Sequence, residues 1–262
     1  MRIFVMGDIV GEPGRDAIRA LLPKLVREES IDFVVVNGEN AAGGSGLTQK
    51  TAAELFSAGI DVLTNGDHTW DKKEFEETID QDPRLLRPAN FPSNNPGAGA
   101  YLGQAKNGFD VGVLNLVGRV FMPRQYDDPF PVARREVERL RQKTPVIIVD
   151  IHAEATSEKI ALGWFLDGQA SFLYGTHTHV QTADERILPK GTAYLTDVGM
   201  TGSYDSVLGR EVEPILQRFL TQMPTRFGLA HGNVQVHGAL VEVDPKSGRA
   251  ESVKRIQRTW SG

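Results

Sequence analysis

The chain has 262 residues, 40% of them hydrophobic and 24% charged, which is enough apolar material for one large α/β domain or two small ones. Its net charge of −5 argues against a general electrostatic affinity for nucleic acid, so an anionic substrate would need a local source of positive charge. The absence of cysteine excludes disulfide scaffolds, thiolate zinc sites and cysteine nucleophiles, and no apolar run reaches the roughly 18 residues of a membrane span.

Residues 2–7 form a short apolar run that reads as a strand; with no charged-then-apolar leader before it, a cytoplasmic protein is expected. The Gly/Pro-punctuated turn GDIVGEPGR follows. Residues 14–29 then place Ile18, Leu21, Leu22, Leu25 and Val26 at helical spacing, with Pro23 inside the pattern predicting a kink or reset. Residues 31–38 (IDFVVVNG) are continuously apolar, as a strand covered on both faces requires. A helix at 48–58, a strand at 60–64 and a helix at 70–79, with Asp71 as its N-cap, complete a βαβαβ start. Residues 81–99 are rich in Pro, Asn and Gly and read as a loop.

Two hairpin-like strands are predicted at 100–104 and 109–116, then an amphipathic helix at 127–143, a buried strand at 145–150 and a helix at 157–167. Strands at 170–174 and 192–196, a helix at 211–222 and a closing pair at 234–243 and 250–257 follow. No linker or internal repeat interrupts the chain. The expected organisation is one α/β domain, residues 1–262, whose later strands form or extend a second sheet.

Polar residues collect at the ends of the apolar runs. Asp8 follows FVMG; Glu39 and Asn40 follow FVVVNG; Asp67 and His68 follow VLTNG; His152 follows VIIVDI; His177 and His179 follow FLYGT. Five predicted strands thus each deliver a potential metal ligand at the carboxyl end, the edge at which open α/β sheets bind ligands. Four of the six histidines belong to this set, whereas His231 and His237 look structural. Taken singly, each has a plainer explanation: Asp8 as a turn or cap residue, Glu39 and Asn40 as turn chemistry, His152 as a core imidazole. The THTH pair is harder to explain away, because residues i and i+2 leaving a strand project to one side. The joint pattern points to metal. Imidazole with carboxylate suits Fe, Mn or Zn rather than Ca, and the lack of thiolate leans to Fe or Mn. So many ligands exceed one tetrahedral ion, whereas two ions about 3.5–4 Å apart, bridged by a carboxylate, would absorb them.

Other signals are weaker. GDIVGEPG and AAGGSG do not fit a dinucleotide-binding turn. Arg124, Arg134 and Arg135 suit a solvated face, Thr156 and Ser157 suit a helix cap, and Lys159 and Arg119 are candidates for phosphate contacts.

The motif order GD, GEN, GDH, H, GTHTH resembles the calcineurin-like metallophosphoesterase superfamily, and NGENAA, HTWDKKEF, HAEATSEK, GTHTHVQT and TDVGMTG resemble its bacterial YmdB-like phosphodiesterase branch over nearly the whole chain. The resemblance implies a four-layer αββα sandwich of two mixed β-sheets flanked by helices. It implies two divalent or trivalent metal ions and hydrolysis of small phosphodiesters, including 2′,3′-cyclic and 3′,5′-cyclic nucleotides, by a metal-activated hydroxide. Carried over by position, Glu39 is the bridging carboxylate. Asp8, Asn40 and His179 complete one shell, and Asp67, His152 and His177 the other. His68 is the general acid that protonates the leaving oxygen. A homo-oligomer is a family-level expectation. The chain departs from the superfamily in having Val10 where the first motif carries histidine. It departs again in having Asp67 where the branch has asparagine, which adds a negative charge beside the substrate. The competing classes are a metal-containing nucleotide sensor or partner-binding protein with little catalysis, and a di-iron redox protein.

Overall fold

The computed structural model describes all 262 residues. In chain order its elements begin with β1 (Arg2–Met6), β2 (Asp8–Ile9), α1 (Gly11–Glu28), β3 (Phe33–Asn37), α2 (Gln49–Ser57), β4 (Val62–Thr64) and α3 (Lys73–Thr78). The middle contributes β5 (Ala100–Gln104), β6 (Asp110–Val117), α4 (Pro129–Arg141), β7 (Ile147–His152), α5 (Thr156–Phe165) and β8 (Phe172–Thr176). The chain closes with β9 (Arg186–Ile187), β10 (Ala193–Leu195), β11 (Met200–Ser203), α6 (Val212–Thr221), β12 (Val234–Val243) and β13 (Ala250–Thr259).

Alternation along the buried strands sorts their side chains into three apolar layers. In β1, Ile3 and Val5 point one way and Phe4 and Met6 the other. The first pair packs in the middle layer against Val113, Ile148 and Phe172 of the second sheet. The second pair packs outward with Ile18, Leu22 and Leu25 of α1 and Leu55 of α2. The second sheet's outer face buries Leu114, Val149 and Leu173 beneath Val137 of α4 and Leu162 of α5. The result is the expected four-layer αββα sandwich of two mixed sheets.

The first sheet runs β2-β11-β12-β1-β3-β4, with β13 on the other edge of β12; the second runs β5-β6-β7-β8-β10-β9. The core strands β1, β3 and β4 are mutually parallel, as are β6, β7, β8 and β10. The later strands β5 to β10 form the second sheet, as expected, but the closing strands β11, β12 and β13 return to the first. The alternating apolar residues of β12 suit such a place. Val236 and Leu240 enter the outer layer, while Ala239 and Val241 enter the layer between the sheets. Both faces of β12 are therefore covered, one by helices and the other by the second sheet.

Two further expectations shift. Helix α1 starts at Gly11 and runs unbroken through Pro23, which lies on its exposed side, where the carbonyl it frees can be hydrated. Helix α3 starts late, at Lys73, with Lys72 as its N-cap, so Asp71 is free for other use.

Candidate metal centre

The carboxyl ends of β1, β3 and β4 in one sheet meet those of β7 and β8 in the other. Buried polar ties fix this meeting. Asp150 of β7 accepts from Asn37 Nδ2 of β3 at 3.2 Å, Thr64 Oγ1 of β4 at 2.5 Å and Thr176 Oγ1 of β8 at 2.8 Å. Beside it, the Asn65 N–H donates to Asn115 Oδ1 at 3.0 Å, and Asn115 Nδ2 donates to Asn65 O at 2.9 Å.

All eight residues singled out from the sequence lie around this junction. His152 Nε2 is 3.2 Å from Glu39 Oε1, 3.1 Å from Asp67 Oδ1 and 3.0 Å from His177 Nδ1. Ligand atoms of Glu39, Asp67, His152 and His177 all lie within 4.8 Å of one another. Adjoining them, Asn40 Nδ2 is 3.2 Å from Glu39 Oε1 and 3.4 Å from His179 Nε2, and His179 Nε2 is 3.7 Å from Asp8 Oδ1. Glu39 is common to both groups. His68 sits at the mouth, its backbone N–H donating to Glu39 Oε2 at 3.2 Å and its Nε2 3.9 Å from Asp67 Oδ2.

Each inward-facing imidazole has its other nitrogen held. His152 Nδ1 donates to Thr176 Oγ1 at 3.0 Å, and that hydroxyl donates in turn to Asp150. His177 Nε2 faces Glu154 Oε2 at 3.2 Å, and His179 Nδ1 donates to Leu208 O at 3.3 Å. Such partners fix each ring's orientation and turn its inner nitrogen to the centre, as is usual for imidazoles that ligate a metal. His68 is oriented in a similar way, its Nδ1 2.8 Å from Asp71 Oδ2, so that Nε2 faces the cleft.

The turn that delivers His177 and His179 differs from the expected strand-like alternation. Both have left-handed backbones, with φ of 93° and 63°, at a typical cost of about 1–3 kcal/mol each. Two carboxylates hold this turn. The His177 N–H donates to Asp8 Oδ2 at 3.1 Å; Thr178 N–H and Oγ1 donate to Asp197 Oδ2 at 3.2 and 2.5 Å. The two rings therefore reach opposite ends of the cluster instead of neighbouring positions.

Crowded charge perturbs the cluster's protonation. Burial pushes the Asp8 carboxyl up, but His179, His152 and the His177 N–H outweigh it and hold Asp8 below the usual carboxylate range. Asp67 is likewise held low, His152 outweighing burial. Burial opposes charge on His152 and His179, yet Glu39 and Asp67 raise the first and Asp8 raises the second. Burial and the neighbouring His152 push His177 down to about 3. Beneath them, burial pushes Asp150 up to about 6.

These residues fit cations. Asp8 Oδ1 is buried without any hydrogen-bond partner, an expensive state unless something else binds it. The two imidazole nitrogens of His152 and His177 face each other at 3.0 Å. Gly66 leaves the centre open: a Cβ there would lie 2.2–2.3 Å from His152 and Glu39 atoms. The N/O donor set without sulfur is one that iron, manganese and zinc accept.

Several residues here are not legible as functional in the sequence. Asp71, which reads as a helix cap, instead orients His68. Asp197 lies in the TDVGMTG string but with no role to be read from it, and Arg210 lies in no motif; Arg210 lines the cleft of about 200 Å³ with Glu39, His68 and His179. The phosphate-contact candidates fall elsewhere. Lys159 is 1% exposed and bonded to Asp197 at 2.9 Å, and Arg119 pairs with Asp128 at 2.9 Å on the surface.

Comparisons with known proteins agree with this geometry. Residues 4–256 match the profile of the YmdB-like protein family. A Bacillus subtilis (strain 168) 2′,3′-cyclic-nucleotide 2′-phosphodiesterase is 51% identical over 98% of this chain and 96% of its own length. Two crystal structures superpose with a TM-score of 0.92 each. One, a hypothetical protein from Thermus thermophilus, is 40% identical, with 99% of both chains covered. The other, a Mycoplasma pneumoniae phosphatase, is 33% identical, covering 99% of this chain and 93% of that one. The chain belongs to the YmdB-like family of the metallophosphoesterase superfamily and is a hydrolase.

Proposed function

We propose that the chain is a cyclic-nucleotide phosphodiesterase that opens 2′,3′-cyclic phosphates at a dinuclear metal site, with residues 1–262 acting as one domain. The observation that carries this reading is the convergence of Glu39, Asp67, His152 and His177 within 4.8 Å, with Asp8, Asn40 and His179 adjoining through Glu39. Asp67, His152 and His177 would hold one ion, and Asp8, Asn40 and His179 the other, with Glu39 shared. Such ions supply positive charge for the phosphate and lower the pKa of an attacking water.

The chain's own residues do the rest. Asp71 fixes the His68 ring so that Nε2 faces the cleft, and His68 gives its proton from that atom to the departing ribose oxygen. Thr176, Glu154 and Leu208 O hold the outer nitrogens of the three imidazoles, so that the inner ones point to where the ions would sit. Asp67 adds charge beside the substrate, which tightens the hold on a cation and weakens that on phosphate. An Asp67→Asn chain with unaltered rate and metal preference would contradict that role. Iron or manganese as the resident metal, a homo-oligomeric state and a cytoplasmic setting belong to the same proposal. No helix is long and apolar enough to cross a membrane.

The test is hydrolysis of a panel of 2′,3′- and 3′,5′-cyclic nucleotides with and without chelator, alongside elemental analysis. Chelator-sensitive ring opening, with two metals per chain, is expected. Tight nucleotide binding without turnover would assign a sensor instead, and visible absorbance that bleaches under reductant without hydrolysis would assign a redox protein.

A further inference from the structure

We propose that Arg210 binds the substrate's phosphate, its guanidinium gripping a non-bridging oxygen opposite the metal ligands. The inference rests on the hydrolase reading and adds a residue to it. Arg210 is the one Lys or Arg side chain on the wall of the cleft that also exposes Glu39, Asn40, His68, His177 and His179. Its side chain makes one protein hydrogen bond, from Nη2 to Gly44 O, and no carboxylate forms an ion pair with it. A guanidinium has five N–H donors in a rigid fork. Most of this fork is therefore unspent, at a site where the other charged side chains are carboxylates.

The surroundings present this group with care. Gly44 has φ of +87°, and a Cβ there would lie 2.6–2.7 Å from the Arg210 guanidinium atoms, so the glycine makes room for it. On the other side, Leu208 O accepts from His179 Nδ1. The segment 208–210 thus orients one metal-facing imidazole and supplies the cation. Arginine matches phosphate because its fork is planar, permanently charged and bidentate. An acidic chain that handles an anionic diester gains here a fixed positive charge independent of metal loading. Neither Lys159 nor Arg119 can serve, because each is already paired with a carboxylate.

The experiment titrates inorganic phosphate into the metal-loaded protein by calorimetry, for the parent and for Arg210→Gln. A charge-assisted hydrogen bond of this kind predicts phosphate binding weakened about 10–100-fold, with the metal-to-protein ratio unchanged. The KM for bis(p-nitrophenyl) phosphate should rise by a similar factor, more than kcat falls. Unchanged phosphate affinity would overturn the proposal, as would metal loss, which would make Arg210 a strut for the Gly44 loop. If Arg210→Gln fails to fold, Arg210→Lys carries the test: it keeps the charge but loses the fork. Phosphate binding weaker by about 3–10-fold supports the assignment and an unaltered Kd overturns it. Because phosphate binding is read directly, an absence of cyclic-nucleotide hydrolysis in the parent would sink the substrate reading without deciding this one.

Discussion

Two clusters of buried charge lie side by side in this protein, and they are built on opposite plans. In one, Asp197 receives Lys159 Nζ at 2.9 Å, Thr178 Oγ1 at 2.5 Å and the Gly199 N–H at 2.8 Å, so that charge is matched and the carboxylate oxygens are occupied. In the other, Asp8, Glu39 and Asp67 crowd three imidazoles, Asp8 Oδ1 has no partner, and two ring nitrogens face each other. A closed network stabilises one conformation and asks for nothing more. An open one, with its lone pairs aimed at shared points, is incomplete until a cation arrives. The closed cluster also serves the open one, because Asp197 holds Thr178 between the two strained histidines.

The sharpest way to break this contrast is to remove the residue common to both halves of the open cluster. Glu39→Gln is expected to lose bound metal and lower turnover by more than the about 10–100-fold typical of losing a group that merely orients a ligand. Elemental analysis beside a diester assay checks it, and a full metal complement would contradict the bridging role. Next in size is His68→Ala, which should cost about 10²–10⁴-fold in kcat while the metal stays. Loss of metal in that variant would make His68 a ligand.

The closed cluster should respond first of all with stability. Asp197→Asn leaves Lys159 buried without a counter-charge, which is expected to destabilise the fold by about 3–5 kcal/mol in denaturant titrations. Adding Lys159→Met should restore most of that stability, since an apolar side chain of similar volume avoids the desolvation cost. Metal loss without destabilisation in Asp197→Asn would mean that the two clusters had been assigned the wrong way round.

Much of the open cluster is readable from sequence because its residues follow parallel strands, and the register of a buried strand tells which end reaches the sheet's edge. Asp8, Glu39, Asp67 and His152 all obey that rule. His177 and His179 are recognisable by type, but their directions are not, since positive φ at both depends on Asp8 and Asp197 from distant segments. Asp71 misleads because its position before a helical run fits an N-cap equally well. Arg210 is invisible: VLGR carries no period, and only the tertiary approach of Gly44 gives it meaning. On the scale of the fold, β2 and β9 are two residues each and β11 is glycine-containing, too short to show a period of two. The return of β12 to the first sheet is a choice between edges that alternation alone does not express.

The smallest effect extends the comparison to a histidine that belongs to no cluster. Buried His237 has Nδ1 2.6 Å from Tyr204 Oη and donates from Nε2 to Gln235 Oε1 at 2.9 Å. Both nitrogens have partners, and burial pushes its pKa down to about 4. The folded value lies below the unfolded one, about 6.5, so on acidification the unfolded chain takes up this proton first. Stability from His237 is therefore fully present above pH about 6.5 and is lost as pH falls towards about 4, by at most about 3 kcal/mol. Denaturant titrations of chelated parent and His237→Gln, so that metal release does not enter, should show the parent's advantage shrinking between pH about 7 and about 4. A constant difference across that range would mean that the folded protein charges His237 as readily as the unfolded chain does.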